Sequence, residues 1–332
     1  MYAEFDLIAK IAARFAAPDG VTLGIGDDSA VLDPGRFDLV TTDTLVEGVH
    51  FRRDWSSAED IGWKLLATSL SDIAAMGGAP GVFFLNMTLP RDLDEAFVDG
   101  LIEGLDAARR ELVPPGFEVS VGGGDTTSTA GPIVLTLTLM GEASPAGPVL
   151  RQGAVPGDRI AILGHVGLAQ GAVELLSGAY AGADPLDFPA MLAAHRRPRP
   201  RVHPGALLGL FGVPSSMIDV SDGLIQDLGH ILKRSAVGAA IETHSLPRHA
   251  EQVILQERFG ADVLTQMLTG GDDYELLLTA PPARMPKLWE LARKHGWDVY
   301  DIGEVRGQDE GLRVLGPTGQ PLEGPWRGWS HF

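Results

Sequence analysis

The sequence predicts two α/β domains of comparable size, each mixing helix and strand (α+β mixed). Three observations lead there. A chain of 332 residues exceeds what one hydrophobic core usually serves. Both halves alternate apolar runs of strand length with segments whose apolar residues recur every three or four positions. Residues 141–157 are rich in Gly, Pro and Ala and lead into RIAIL at 159–163, a buried-strand signature, which divides the chain near residue 147 into 1–147 and 148–332.

In chain order, helical spacing predicts helices near 5–15, 61–76 and 93–112, and β-rich runs predict strands at 39–42, 82–88 and 133–140. Past the boundary, helices are expected near 168–176, 224–233 and 285–295, alternating with strands at 159–163, 217–220, 239–242, 274–279 and 299–305. There is no solenoid repeat, heptad array or long low-complexity tract.

Composition excludes several function classes. Hydrophobic residues make up 45%, yet no run approaches the roughly 20 apolar residues of a membrane span. The opening MYAEFDLIAKIAARF has acidic residues where a secretory leader has basic ones, so a soluble cytoplasmic protein is expected. With no cysteine, disulfides, thiolate metal sites and cysteine nucleophiles drop out together. A net charge of −18 disfavours nucleic acid and anionic membranes as partners.

The chemistry concentrates in short Asp-containing signatures at the ends of predicted elements: GIGDD at 24–28, TTDT at 41–44, SLSD at 69–72, GGGDTT at 122–127, DVSDG at 219–223 and GGDDYE at 270–275. Each alone also reads as a turn, and Asp222 before Leu224 reads as a helix cap. Asp72 is different: seven residues after Leu65 and four before Met76, it puts a carboxylate on the apolar stripe of its helix, which points to a metal rather than a salt bridge. Two unit charges about 4 Å apart repel by roughly 4 kcal/mol at an effective dielectric near 20, so converging carboxylates require cations. Oxygen-only donors with Thr beside Asp suit magnesium.

In order along the chain, GIGDDSAVL, TTDTLVEGVHF, SLSDIAAMGGAP, GGDTT, RQGAVPGD, IDVSDGL, GGDDYELL and the terminal WRGWSHF resemble the thiamine-monophosphate kinase family from residue 24 to the end. The resemblance implies an aminoimidazole ribonucleotide synthetase-like fold of two α/β domains, a homodimer formed through the first, and ATP and metals in a cleft beside the joined N-terminal domains. It implies magnesium ligation by Asp28, Thr41, Thr42, Asp43, Asp72, Asp125, Asp219 and Asp222, and ATP contacts from Gly124, Asp125, Arg151 and Ser221. Contacts to thiamine monophosphate would come from His50, Asp272 and Trp326. Taken alone, Arg151 also reads as a solvated linker charge, His50 as a structural histidine, and Trp326 with Trp329 as a strap on the core. Two positions depart from the family pattern: Asp272 where many relatives carry Glu, and Trp329 where many carry Tyr.

The implied reaction is in-line phosphoryl transfer from ATP to thiamine monophosphate, giving thiamine diphosphate and ADP. A phosphate monoester has a second pKa of about 6 and needs no general base near neutral pH, so no catalytic side chain is expected. No lysine precedes Ser or Thr, which excludes a Walker A loop, and HRD, DFG, GxSxG and HExxH are absent. Lack of cysteine disfavours the selenophosphate synthetase and hydrogenase-maturation cousins, and WRGWSHF disfavours the purine-pathway ones. A non-catalytic metal- or nucleotide-binding module is the alternative of another class. HRRPRPR at 195–201, a basic island in an acidic chain, reads either as a helix end broken by Pro198 and Pro200 or as a phosphate-steering or interdomain contact.

Overall fold

The computed structural model describes Lys10, residues 13–14, 21–23, 31–32, 35, 37–324 and 326–328. Asp28, Trp329 and most of the helix expected over 5–15 lie outside them. The chain forms two compact units: Met1–Ile73 with Gly78–Ser144, and Pro145–Phe332 with Ala74–Gly77.

In the first unit a short antiparallel pair, β1 (Val21–Leu23) and β2 (Val31–Leu32), precedes a four-stranded sheet. The sheet comprises β3 (Leu39–Val46), β4 (Ala79–Pro90), β5 (Ser120–Thr129) and β6 (Val134–Glu142), ordered β3-β6-β4-β5. Strand β6 runs antiparallel to β3 and β4, whereas β4 and β5 are parallel, which demands crossover connections. Helices supply them: α1 (Ala58–Ala75) joins β3 to β4, and α2 (Glu95–Leu112) joins β4 to β5.

The two helices touch backbone to backbone. A Cβ added at Gly62 of α1 would stand 2.0 Å from the Leu101 carbonyl oxygen, and one at Gly104 of α2 would stand 1.9 Å from that of Glu59. Asp94 caps α2 by accepting the Phe97 N–H at 2.7 Å. Period-two alternation gives the sheet one buried face, with Leu45, Leu135, Leu137 and Leu139. On the other face lie Val40, which is 64% exposed, and the hydroxyl pairs Thr42 with Thr138 and Thr44 with Thr136, at 3.0 and 2.8 Å.

The second unit is built on a seven-stranded sheet ordered β13-β12-β9-β11-β7-β10-β8. Its strands are β7 (Arg159–Leu163), β8 (Ser216–Val220), β9 (Gly238–Glu242), β10 (Glu275–Ala280), β11 (Val299–Arg306), β12 (Leu312–Leu315) and β13 (Pro321–Leu322). All pairs are antiparallel except β9 with β12. Both faces are covered, so β7 and β10 read as continuous apolar runs: Ile160, Ile162 and Leu277 enter one core, and Ala161, Leu163, Leu276 and Leu278 the other. The helices are α3 (Leu168–Leu176), α4 (Pro189–Arg196), α5 (Val202–Leu210), α6 (Leu224–Ser235), α7 (Ala250–Phe259), α8 (Val263–Thr269) and α9 (Met285–His295).

Three sequence expectations need correction. TTDT and GGGDTT lie within β3 and β5 rather than at element ends, because Thr is a good strand former and Gly lets β5 approach β4 closely. Helices α5, α7 and α8 went unforeseen: α5 carries Pro204 and two glycines, α8 has only 7 residues, and α7 buries little beyond Gln252 and Leu255. The turn before α6 is not capped by Asp222, as its N-cap Gly223 lacks a side-chain cap.

Candidate active site

In the first unit, strand alternation places Thr41 and Asp43 on the helix-facing side of β3 and Thr42 on the other. Three residues apart on α1, Ser69 and Asp72 share the helix face that meets them. Ser69 donates its hydroxyl to Asp43 at 2.7 Å, and Thr41 donates to Asp72. Burial, followed by the negative charge of Asp72, pushes the Asp43 carboxyl up to about 6, against the pull of the Ser69 hydroxyl.

Asp106 on α2 offers a contrast. It is also buried, but Arg14, Arg109 and Arg110 surround it, and against the burial penalty their guanidiniums hold its carboxyl below the usual range. That is a structural ion cluster. At Asp43 the neighbouring charge that counts is the carboxylate of Asp72, which raises it where the arginines lower Asp106.

The other first-unit residues are placed as follows. Thr42 pairs through its hydroxyl with Thr138, so only its main chain remains on the Asp43 side. Gly124 lies opposite Leu85 in the β4–β5 pairing, where a Cβ would stand 1.9 Å from the Leu85 carbonyl oxygen. Asp125 follows it, exposed, on an edge strand. His50 sits in the turn after β3 and accepts the Val46 N–H on Nδ1 at 3.1 Å, which leaves Nε2 to carry the proton of the neutral ring.

In the second unit the sites gather where β8 ends and α6 begins. Asp219 is buried within β8, and the turn that follows, Ser221–Asp222–Gly223, gives all three N–H groups to Oδ2 of Asp227 at 3.0 to 3.1 Å. Burial, then the charge of Asp222, pushes Asp227 up to about 7, opposed by those N–H bonds. Asp222, Asp227 and His230 present ligand atoms within 4.8 Å of one another. Burial and then the positive charge of Arg151 push His230 down, so Arg151 belongs to this neighbourhood.

The GGDDYE segment lies against the same turn. Asp272 N–H donates to the Ser221 carbonyl at 2.8 Å, and Tyr274 N–H to that of Val220 at 2.7 Å. Asp273 turns inward and accepts the N–H groups of Gly167 and Ala169 at 2.6 and 3.1 Å, capping α3 from outside the helix. Burial raises its carboxyl well above the ordinary range despite those bonds. Glu275 is clamped by Arg201. Trp326 packs against the core of this unit, its indole N–H buried without a hydrogen-bond partner among the described residues.

Sequence reading missed Ser69, Asp227, His230 and His195. The first stood in plain view in SLSD. In DVSDGLIQDLGH, the three-residue spacing of Asp227 and His230 on one helix was the available signal.

Fold and site together define the AIR synthase related class of two-domain proteins. Residues 26–143 match the family described as AIR synthase related protein, N-terminal domain, and residues 155–314 match its C-terminal domain. The chain belongs to the thiamine-monophosphate kinase family. It is 38% identical over 343 residues to the thiamine-monophosphate kinase of Escherichia coli (strain K12), covering 99% of this chain and 98% of that one. The Bacillus subtilis (strain 168) enzyme is 32% identical, with 99% of each covered.

Among solved structures, the thiamine-monophosphate kinase from Stenotrophomonas maltophilia K279a superposes with a TM-score of 0.82 at 38% identity, over 96% of this chain and 98% of that one. AaThiL complexed with AMPPCP and TMP gives 0.76 at 30% identity, over 99% and 96%. The hydrogenase maturation protein HypE in complex with ATP, at 20% identity and a TM-score of 0.74, shares the fold.

Proposed function

We propose that the chain transfers the γ-phosphoryl group of ATP to the phosphate of thiamine monophosphate, breaking the bond to the bridging oxygen of ADP and forming thiamine diphosphate. The observation that carries this reading is the like-charged Asp43–Asp72 pair, lined by the Thr41 and Ser69 hydroxyls, in a chain whose full-length relatives are thiamine-monophosphate kinases. An all-oxygen donor set of carboxylates and hydroxyls fits magnesium. Asp28, Thr41, Thr42, Asp43, Asp72, Asp125, Asp219 and Asp222 would share several such ions. When bound, they supply the positive charge that offsets repulsion between two phosphate groups.

The chain's own residues then bind and orient. Gly124, Asp125, Arg151 and Ser221 are assigned to ATP, with the Arg151 guanidinium suited to phosphate oxygens. His50, Asp272 and Trp326 are assigned to the acceptor: an Nε2 donor for its phosphate, and a carboxylate and an aromatic face for its cationic thiazolium and flat pyrimidine. Residues 1–147 are assigned ATP and magnesium binding and dimer formation, and 148–332 the remainder of the substrate contacts. The homodimer reading is supported by the open face of the β3–β6 sheet, where Val40 and four threonines stand at the surface. No helix among the described residues is long and apolar enough to cross a membrane, and we assign the chain to the cytoplasm.

The test is an assay of purified protein with ATP, magnesium and thiamine monophosphate, with free thiamine as the control acceptor. Thiamine diphosphate formed only from the monophosphate, and lost with chelator, supports the reading; ATP binding without product moves it to a binding module. Metal binding has its own readout. Protons compete for Asp43, so magnesium is expected to raise the melting midpoint at pH 8 and to lose that effect as the pH falls through about 6.

A further inference from the structure

The basic island at 195–201 runs from the last turn of α4 to Arg201, the N-cap of α5, and both its ends grip GGDDYE. At one end the His195 side chain, 5% exposed, sets Nδ1 3.0 Å from Oδ2 of Asp272. At the other, Arg201 meets Glu275 with both arms of its guanidinium, one bond measuring 2.6 Å, while the His165 N–H donates to Glu275 at 3.1 Å. The second oxygen of Asp272 accepts the Tyr274 hydroxyl at 3.0 Å.

Between these anchors the backbone is strained. Asp272 and Tyr274 have φ of +73° and +55°, in the left-handed region that residues with side chains rarely occupy. Glycine would relieve both positions, so a turn needed only for its shape has no use for these side chains. Strain of this kind persists where surrounding contacts over-determine it, and it concentrates at ligand sites. Here the side chains do specific work: each oxygen of Asp272 has a fixed donor, yet the carboxylate keeps 27% exposure beside the Ser221 turn. Aspartate has one side-chain methylene, so its reach is set by the backbone and by those donors.

We infer that His195 is the positioning residue for Asp272, fixing the carboxylate that contacts the cationic thiamine portion of the acceptor; the inference rests on the phosphotransfer reading above. It gives the basic island its task, which is to hold the acceptor loop rather than to steer phosphate.

Steady-state kinetics of His195→Gln, His195→Asn and Asp272→Asn, with melting curves, test it. His195→Gln keeps much of the volume but moves the donor, and is expected to raise KM for thiamine monophosphate about tenfold, the loss of one hydrogen bond to a charged group, with KM for ATP unchanged. His195→Asn, whose amide nitrogen occupies the Nδ1 position, is expected to restore most of that loss. In an Asp272→Asn background, His195→Gln is expected to add less than about twofold, since the two act as one unit. Equal movement of both KM values, failure of Asn to rescue, or multiplicative effects in the double variant overturns the inference. Product from the wild type with His195→Gln unaltered overturns it alone, whereas no product from the wild type removes the phosphotransfer reading and this inference together.

Discussion

Asp43→Asn is expected to lower thiamine diphosphate formation by about a thousandfold while leaving the metal-free protein at least as stable as its parent. A metal site is worth several kcal/mol to phosphoryl transfer, and about 4 kcal/mol corresponds to three decades in rate. The stability half follows from the sign of the shift. Asp43 titrates near 6 in the fold against 3.8 ordinarily, because it is buried beside the charge of Asp72. A carboxyl raised in the folded state contributes its full stability below its unfolded value, and that contribution is lost as pH rises through the folded value. Above pH 6 the ionised pair therefore costs the metal-free fold, by about 3 kcal/mol on the scale of 1.36 per pH unit. Asparagine removes that cost and keeps the shape. Activity and metal-free melting measured on the same preparation check both halves; a drop in melting midpoint matching the loss of activity would mean that Asp43 is structural.

Arg201→Met should weaken the second unit most at high pH. Arg201 holds Glu275 with two bonds, and Glu275 is buried at the start of β10. Burial already raises the Glu275 carboxyl in spite of Arg201, so removing the guanidinium leaves a buried charge without compensation. Breaking such a pair costs about 3 kcal/mol, which lowers a melting midpoint by roughly 6 to 12 °C in a domain of this size. With Arg201 gone the folded-state value rises further. Protonation then relieves the defect, and the midpoint difference should narrow as pH falls toward 5. A difference that stays constant with pH would assign the loss to packing.

Much of the fold was legible because its signals are local. The runs at 159–163 and 274–279 are β7 and β10 almost residue for residue, since a strand buried on both faces must be apolar throughout. The placement of Asp72 on an apolar stripe announced its inward direction, and it meets Thr41 across the unit. What could not be read were partnerships set by tertiary packing. His195 belongs to Asp272 although 77 positions separate them, and nothing near either residue says so. Asp227 resembles an ordinary helical carboxylate until the turn before α6 folds back onto it. Thr42 follows from alternation alone, but only once β3 is known to run through TTDT rather than stop inside it.

Helical glycines are the usual first targets for thermostabilisation, because alanine gains about 1 kcal/mol at an unstrained site. Gly62 and Gly104 would mislead that strategy. They act as spacers of zero thickness between α1 and α2, and a single methyl group at either meets a carbonyl oxygen rather than open space. Helix α1 would have to slide or tilt to make room. Ser69 and Asp72 lie seven and ten residues along the same helix, about 10 to 15 Å from Gly62, and would move with it. A variant library confined to acidic loops would leave this control of carboxylate geometry unsampled, whereas a consensus library that fills helical glycines would disturb it in every member.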